Sequence, residues 1–265
     1  MHKILLKDVC YIRDKKPILN SINWEINEGE NWIVLGPNGS GKTSVLSLIA
    51  GYEWPSDGSI TVLGNIYGNC NLKNIRSKIA VFNPGLADSF FLYHPLISAI
   101  EAICTGIDSS FGTYRTITSK ERTLAAQLIQ NNFHGTGDSK LPERRYSLLS
   151  AGEKRKILIL RMLMQNPEIL ILDEPYESLD IPSRMDLESL LYKTVTEKNL
   201  SMIIILHRIE EIPVFATHVL LLKNGSILNK GLIEEVLTSR NISELFDTEL
   251  TIEKRKNRYV CILPE

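Results

Sequence analysis

The 265-residue chain has only four cysteines, at positions 10, 70, 104 and 261, and no Cys-x-x-Cys pair. That spacing argues against a zinc site or a disulfide framework and fits a reducing cytoplasm. No apolar run is long enough to cross a bilayer, and the first residues lack the charged-then-apolar order of a secretory signal. Neither charge sign is in excess: 30 Lys and Arg face 31 Asp and Glu, for a net charge of -1. A nucleic-acid partner is therefore not expected, and the short basic runs at 154–156 and 254–256 are read as solvated faces. Internal repeats and low-complexity segments are missing too. What remains is 43% hydrophobic and 23% charged, the composition of a globular protein with a proper core.

Within that composition one stretch stands out. Gly36-Pro37-Asn38-Gly39-Ser40-Gly41-Lys42-Thr43 has two glycines separated for a P-loop and followed by Lys and a hydroxyl residue. The apolar Trp32–Leu35 run before it reads as a strand, and the apolar spacing from Ser44 to Ala50 reads as a helix. This is a polyphosphate cradle. Glycines allow tight backbone folding, successive N–H groups form an anion nest, and the helix start adds its positive end. Lys42 supplies a full charge to the β- and γ-phosphates, and the Thr43 hydroxyl is placed to ligate Mg²⁺.

Upstream, residues 4–11 and 18–26 alternate as strands joined through Asp14–Pro17. Downstream, Ser59 to Leu63 reads as a further strand, giving a small antiparallel sheet beside the P-loop core. Residues 86–166 turn helical, with a loop from Gly106 to Thr118 and a turn at His134–Asp138. Ser150, ahead of Gly152 and Glu153, reads as the N-cap of a helix running to Gln165. Ile169–Leu172 is a strand buried on both faces, and it delivers two carboxylates at the ligand-binding end of the sheet. Asp173 suits Mg²⁺ and Glu174 suits proton abstraction from water. The strand Ser201–Leu206 ends at His207, which can donate a hydrogen bond to a phosphate oxygen. A hairpin at 219–228 and a short helix from Glu234 follow. The alternating stretch Arg258–Leu263 at the end of the 240–265 extension has no role legible in the sequence. Tyr11, ending a strand upstream of the P-loop, is either an adenine-stacking ring or an ordinary strand aromatic.

The order P-loop, helical stretch, Leu149-Ser150-Ala151-Gly152-Glu153, Asp173-Glu174, Ser178-Leu179-Asp180 and His207 resembles the ATP-binding cassette (ABC) ATPases over roughly residues 3 to 235. The resemblance implies a single α/β domain: a P-loop NTPase core of mostly parallel strands, an N-terminal antiparallel β-subdomain and an inserted helical subdomain. It implies that ATP and Mg²⁺ are held by Gly36, Pro37, Asn38, Gly39, Ser40, Gly41, Lys42, Thr43 and Ser44, with Asp173 as a metal ligand. Glu174 would be the base and His207 the γ-phosphate switch. Ser150 and Gly152 would be the signature that contacts ATP on the opposite subunit, and Asp180 the interface acid. Tyr11 would be the adenine-stacking aromatic. The family's signature usually reads Leu-Ser-Gly-Gly-Gln, so Ala151 and Glu153 depart from it. Asn83 stands where a Gln commonly reaches Mg²⁺ and the attacking water; one methylene shorter, it would take that role if the loop moves inward, and otherwise the coupling uses another residue.

These features imply a head-to-tail homodimer or a paired cassette that sandwiches two ATP molecules. The ATPase would power a transporter through an integral membrane permease, from the cytoplasmic face of the cell membrane. Arg144-Arg145-Tyr146-Ser147 lacks the Gly-Glu-x-Gly element common in exporters, which leans towards an importer. Gly29–Trp32 and the 110–114 stretch are similar to cassettes for metal or oxyanion uptake. The alternative is a soluble ABC ATPase acting on ribosomes or nucleic acid, although ribosome-type members usually carry two cassettes and DNA-repair members long coiled coils. A non-enzymatic nucleotide sensor sits poorly with intact Lys42, Asp173, Glu174 and His207.

Overall fold

The computed structural model describes residues 2–107, 115–133, 140–198 and 200–264. The 110–114 stretch and the 134–138 turn therefore lie outside the described residues. In chain order the elements are β1 (His2–Arg13), β2 (Lys16–Asn27), β3 (Asn31–Leu35), α1 (Lys42–Ile49), β4 (Asp57–Val62), β5 (Asn65–Ile66) and α2 (Leu72–Arg76). Then come β6 (Ile79–Phe82), α3 (Pro84–Leu92), α4 (Ala99–Cys104), α5 (Ser119–Asn132), α6 (Ala151–Leu163), β7 (Ile169–Asp173) and α7 (Ile181–Lys198). The last are β8 (Ser201–Ile205), β9 (His218–Lys223), β10 (Ser226–Leu232), α8 (Ile233–Val236), α9 (Ser239–Phe246), β11 (Thr251–Arg255) and β12 (Arg258–Ile262). They cluster into two compact units, residues 1–76, 171–174 and 199–265 in one and 77–170 and 175–198 in the other.

The first unit holds an antiparallel sheet, strands of a mostly parallel sheet and a terminal two-stranded hairpin. The antiparallel one has the order β2-β1-β4-β5. Its alternating strands pair Ile4 with Ile26, Leu6 with Trp24 and Tyr11 with Leu19, so one face carries the apolar set inward. The hairpin closes on two residues, Asp14 and Lys15, with φ of 50° and 62°, the left-handed pair that matches strand twist. In the other sheet β3 lies parallel between β8 and β9, with β10 outside β9 and β7 outside β8. The unbroken apolar runs of β3, β7 and β8 are almost wholly buried, as strands covered on both faces require. At the C-terminal end α9 buries Ile242 and Leu245. The alternating stretch near the terminus forms the hairpin β11–β12, in which Ile252 faces Cys261.

In the second unit β6 runs beside the start of β7, where Glu168 and Ile169 both donate to the Lys78 carbonyl. Helices α3 to α6 occupy the region read as helical, and α7 clusters with them. Three of these helices start with the same device. Ser98 with Glu101, Thr118 with Glu121, and Ser150 with Glu153 each form a reciprocal capping box at α4, α5 and α6. The box at α6 starts the helix at Ala151, directly after Ser150.

Candidate nucleotide-binding site

The loop between β3 and α1 is held by close backbone approach. A Cβ on Gly36 would lie 2.1 Å from the Leu222 carbonyl oxygen, so no larger residue fits there. Gly41 has φ of 101°, and a Cβ on it would meet Leu19 Cδ2 at 2.6 Å. Lys42 opens α1 with its ammonium folded back into the loop, donating to the Gly36 carbonyl at 2.8 Å and the Pro37 carbonyl at 3.0 Å. The side chain is buried. That burial pushes its pKa down, while the carboxylates of Glu174 and Asp173 push it back up. Ser40 Oγ is also buried, with no hydrogen-bond partner. Asn38 and Gly39 form the exposed tip, while Pro37 and Ser44 are half-buried.

Two other chain segments reach this loop within the first unit. Thr43 Oγ1 donates to Asp173 Oδ2 at 3.3 Å across 130 residues of sequence. The other carboxylate oxygen, Asp173 Oδ1, is buried with no hydrogen-bond partner. Burial raises the Asp173 pKa and Glu174 adds to that, against Thr43, Lys42 and His207. Next in the chain, Glu174 takes a left-handed backbone with φ of 49° and donates its N–H to the Ile205 carbonyl at 3.2 Å. Its carboxylate Oε1 meets His207 Nε2. His207 is placed by β8, whose register continues through Leu206 N–H to the Val34 carbonyl at 3.2 Å. The chain thus brings together a cationic cradle, a metal-type carboxylate and a carboxylate–imidazole pair at the ends of adjacent strands, the place where open α/β sheets bind ligands.

Tyr11 lies elsewhere in the packing. Its ring is 6% exposed and faces the core of the antiparallel sheet opposite Leu19. Of its two readings the structure places it as the strand aromatic. The residues that follow it, Ile12 and Arg13, are exposed.

The remaining candidates belong to the second unit. Asn83 is exposed directly after β6. Ser150 is exposed and its hydroxyl accepts from Glu153 N–H at 3.2 Å, while Glu153 Oε2 accepts from Ser150 N–H at 2.7 Å. Glu153 Oε1 accepts from Arg144 Nη1 at 3.0 Å. Gly152 is buried, and a Cβ there would lie 2.5 Å from Ser183 Oγ. Asp180 is exposed and caps α7, accepting from Ser183 N–H at 3.0 Å. The roles of Arg144 and Ser183 are not legible in the sequence, because each is defined by a partner on another element.

Residues 19–177 match the ABC transporter family. YmeB of Lactococcus lactis subsp. lactis, an ABC transporter ATP-binding protein, is 36% identical over 98% of this chain and 98% of its own length. The chain belongs to the ABC transporter family. It is an ATP-binding, ATP-hydrolysing subunit with the α/β cassette fold. A hemin import ATP-binding protein, HmuV of Hahella chejuensis, is 29% identical over 92% of each chain. Among solved structures, the dimeric cassette MJ0796 superposes with a TM-score of 0.70 at 25% identity, covering 87% of this chain and 98% of that one. No helix among the described residues of this ATPase is long and apolar enough to cross a membrane.

Proposed function

We propose that this ATPase drives a membrane importer, working as a head-to-tail dimer with an ATP molecule at each P-loop. The observation that carries the chemistry is the Glu174–His207 pair at the strand ends beside Lys42. Glu174 takes the proton of the attacking water, and His207 contacts a γ-phosphate oxygen. Lys42 exchanges its two loop carbonyls for phosphate oxygens. At the base end, exposed Arg13 offers a planar guanidinium for stacking.

Mg²⁺ fits the site, because the unpartnered Asp173 Oδ1 and the Thr43 hydroxyl supply hard oxygen ligands and the phosphates and water complete the shell. When bound, the ion neutralises charge on the β- and γ-phosphates.

The second ATP contact comes from the partner's Ser150 and Gly152, with Asp180 beside them. The apolar side chains Leu148, Ile181 and Met185 support this. They are 68%, 75% and 58% exposed and close in sequence to these residues, apolar area that a second copy would cover. For the membrane partner, the second unit offers a groove of about 640 Å³ lined by Phe90, Tyr93, Leu96 and Ile97, with Glu101 and Arg122 among its polar residues. Such a groove suits a short amphipathic helix from a permease on the cytoplasmic side of the membrane. The importer direction rests on the sequence around Arg144 and on the likeness to the hemin import protein.

Purification of the full chain at native level in mild detergent tests the reading. A multi-spanning membrane protein is expected to come with it. Recovery with ribosomes or nucleic acid, or recovery alone, would overturn the transport assignment while leaving the ATPase chemistry standing.

A further inference from the structure

The 3-10 turn at Ile209–Glu211 begins two residues after His207. It is held from two sides. Ile209 is buried in the core. Glu210 Oε1 accepts a hydrogen bond from the backbone N–H of Cys261, 51 residues later on β12, at 3.0 Å. The hairpin that supplies this donor buries little of itself. Of the residues in β11 and β12 only Tyr259 is buried. Its ties to the rest of the chain include an ion pair from Lys254 to Glu234 at 2.6 Å and the bond from Ile252 N–H to Ser239 Oγ at 2.9 Å. Ile252 and Cys261 face each other in the ladder and both point their N–H groups away from it, so the Cys261 donor is an outward edge group. A lightly buried element of this kind opens at lower free energy than the core. Its edge nevertheless grips the turn that follows His207.

We propose that the C-terminal hairpin is a strap on the ATPase site, with Glu210 as a positioning residue. Through Glu210 the docked hairpin fixes the 208–211 turn, and the turn fixes the imidazole of His207 against Glu174. Undocking the hairpin loosens the imidazole without disturbing the cradle, which stands on β3 and α1. The strap rests on the roles given above to Glu174 and His207. It assigns the 240–265 extension a regulatory part in turnover.

The test is steady-state ATP hydrolysis by the full chain. Glu210→Ala is expected to lower kcat on the order of tenfold, since sub-ångström misplacement of a reacting group is costly, while the KM for ATP stays within about twofold. Glu210→Gln retains a carbonyl oxygen that accepts from Cys261 N–H and is expected to restore kcat. Cys261→Pro removes the donor but leaves the ladder bonds to β11, so it should reproduce the loss. The double variant Glu210→Ala/Cys261→Pro should lose no more than either alone, as two ends of one contact. Wild-type kcat in Glu210→Ala, or equal loss in Glu210→Gln and Glu210→Ala, would overturn the strap. Glu174→Gln in the same assay separates the two levels. If it abolishes turnover while Glu210→Ala changes nothing, only the strap fails; if it leaves turnover intact, the underlying assignment of Glu174 fails.

Discussion

A methyl group on Gly152 would sit 2.5 Å from Ser183 Oγ and 2.7 Å from Ser183 Cβ. The glycine in the signature is therefore set by packing of α6 on α7, whatever it also does for a phosphate. Overpacking of this kind costs about 1–3 kcal/mol. Gly152→Ala is expected to lower the thermal midpoint by roughly 2–4 °C per kcal/mol lost. Ser183→Gly, by removing the obstructing side chain, should recover part of that loss in the double variant. A midpoint for Gly152→Ala equal to wild type would show that the helices part without strain. Tyr11 teaches the opposite lesson at the same scale. An aromatic residue ending a strand looks the same in sequence whether its ring faces solvent or core. The register opposite Leu19, set through irregular pairing on either side of Tyr11, decides the matter.

At the scale of elements, α6 begins with a carboxylate where the family's usual signature has a neutral amide. Glu153 closes the capping box on Ser150 and its second oxygen takes Arg144. The Arg144 guanidinium, 3.0 Å from Glu153, offsets that carboxylate's negative charge at the helix start. Arg144→Gln leaves an uncompensated charge beside the place assigned to the partner's γ-phosphate. It should weaken ATP-driven association by about 1–2 kcal/mol, on the order of tenfold. Glu153→Gln in the same chain should restore it, as the amide needs no counterion. Sedimentation of the single and double variants checks this, and unrecovered association in the double variant would refute the charge argument.

Much of the element order is legible beforehand, because burial on one face or two leaves a period in the sequence. The alternation of β1 and β2 and the unbroken runs of β3, β7 and β8 are such cases, and the P-loop follows from glycine spacing. The pair Arg144–Glu153 and the hairpin β11–β12 are not. The first pair is joined across a bend of irregular chain. In the hairpin β11 is mostly exposed and β12 mostly half-buried, so its strands carry little periodic burial, and its docking depends on Glu210 far back in the sequence.

At the scale of the whole molecule, each chain holds a P-loop site in one unit and a capped, exposed signature start in the other. In the proposed head-to-tail dimer these are half-sites, each completed by a second copy of the chain. The γ-phosphate is the element that joins them, so ATP and ADP must differ in the assembly they support. Glu174→Gln keeps the cradle and the Asp173 carboxylate but removes the base, so turnover should fall by at least ~100-fold while ATP stays bound. The most direct measurement is the solution mass of that variant with Mg²⁺ and either ATP or ADP. A doubled mass with ATP and a monomer with ADP are expected. A monomer in both, with ATP demonstrably bound, would contradict the head-to-tail dimer.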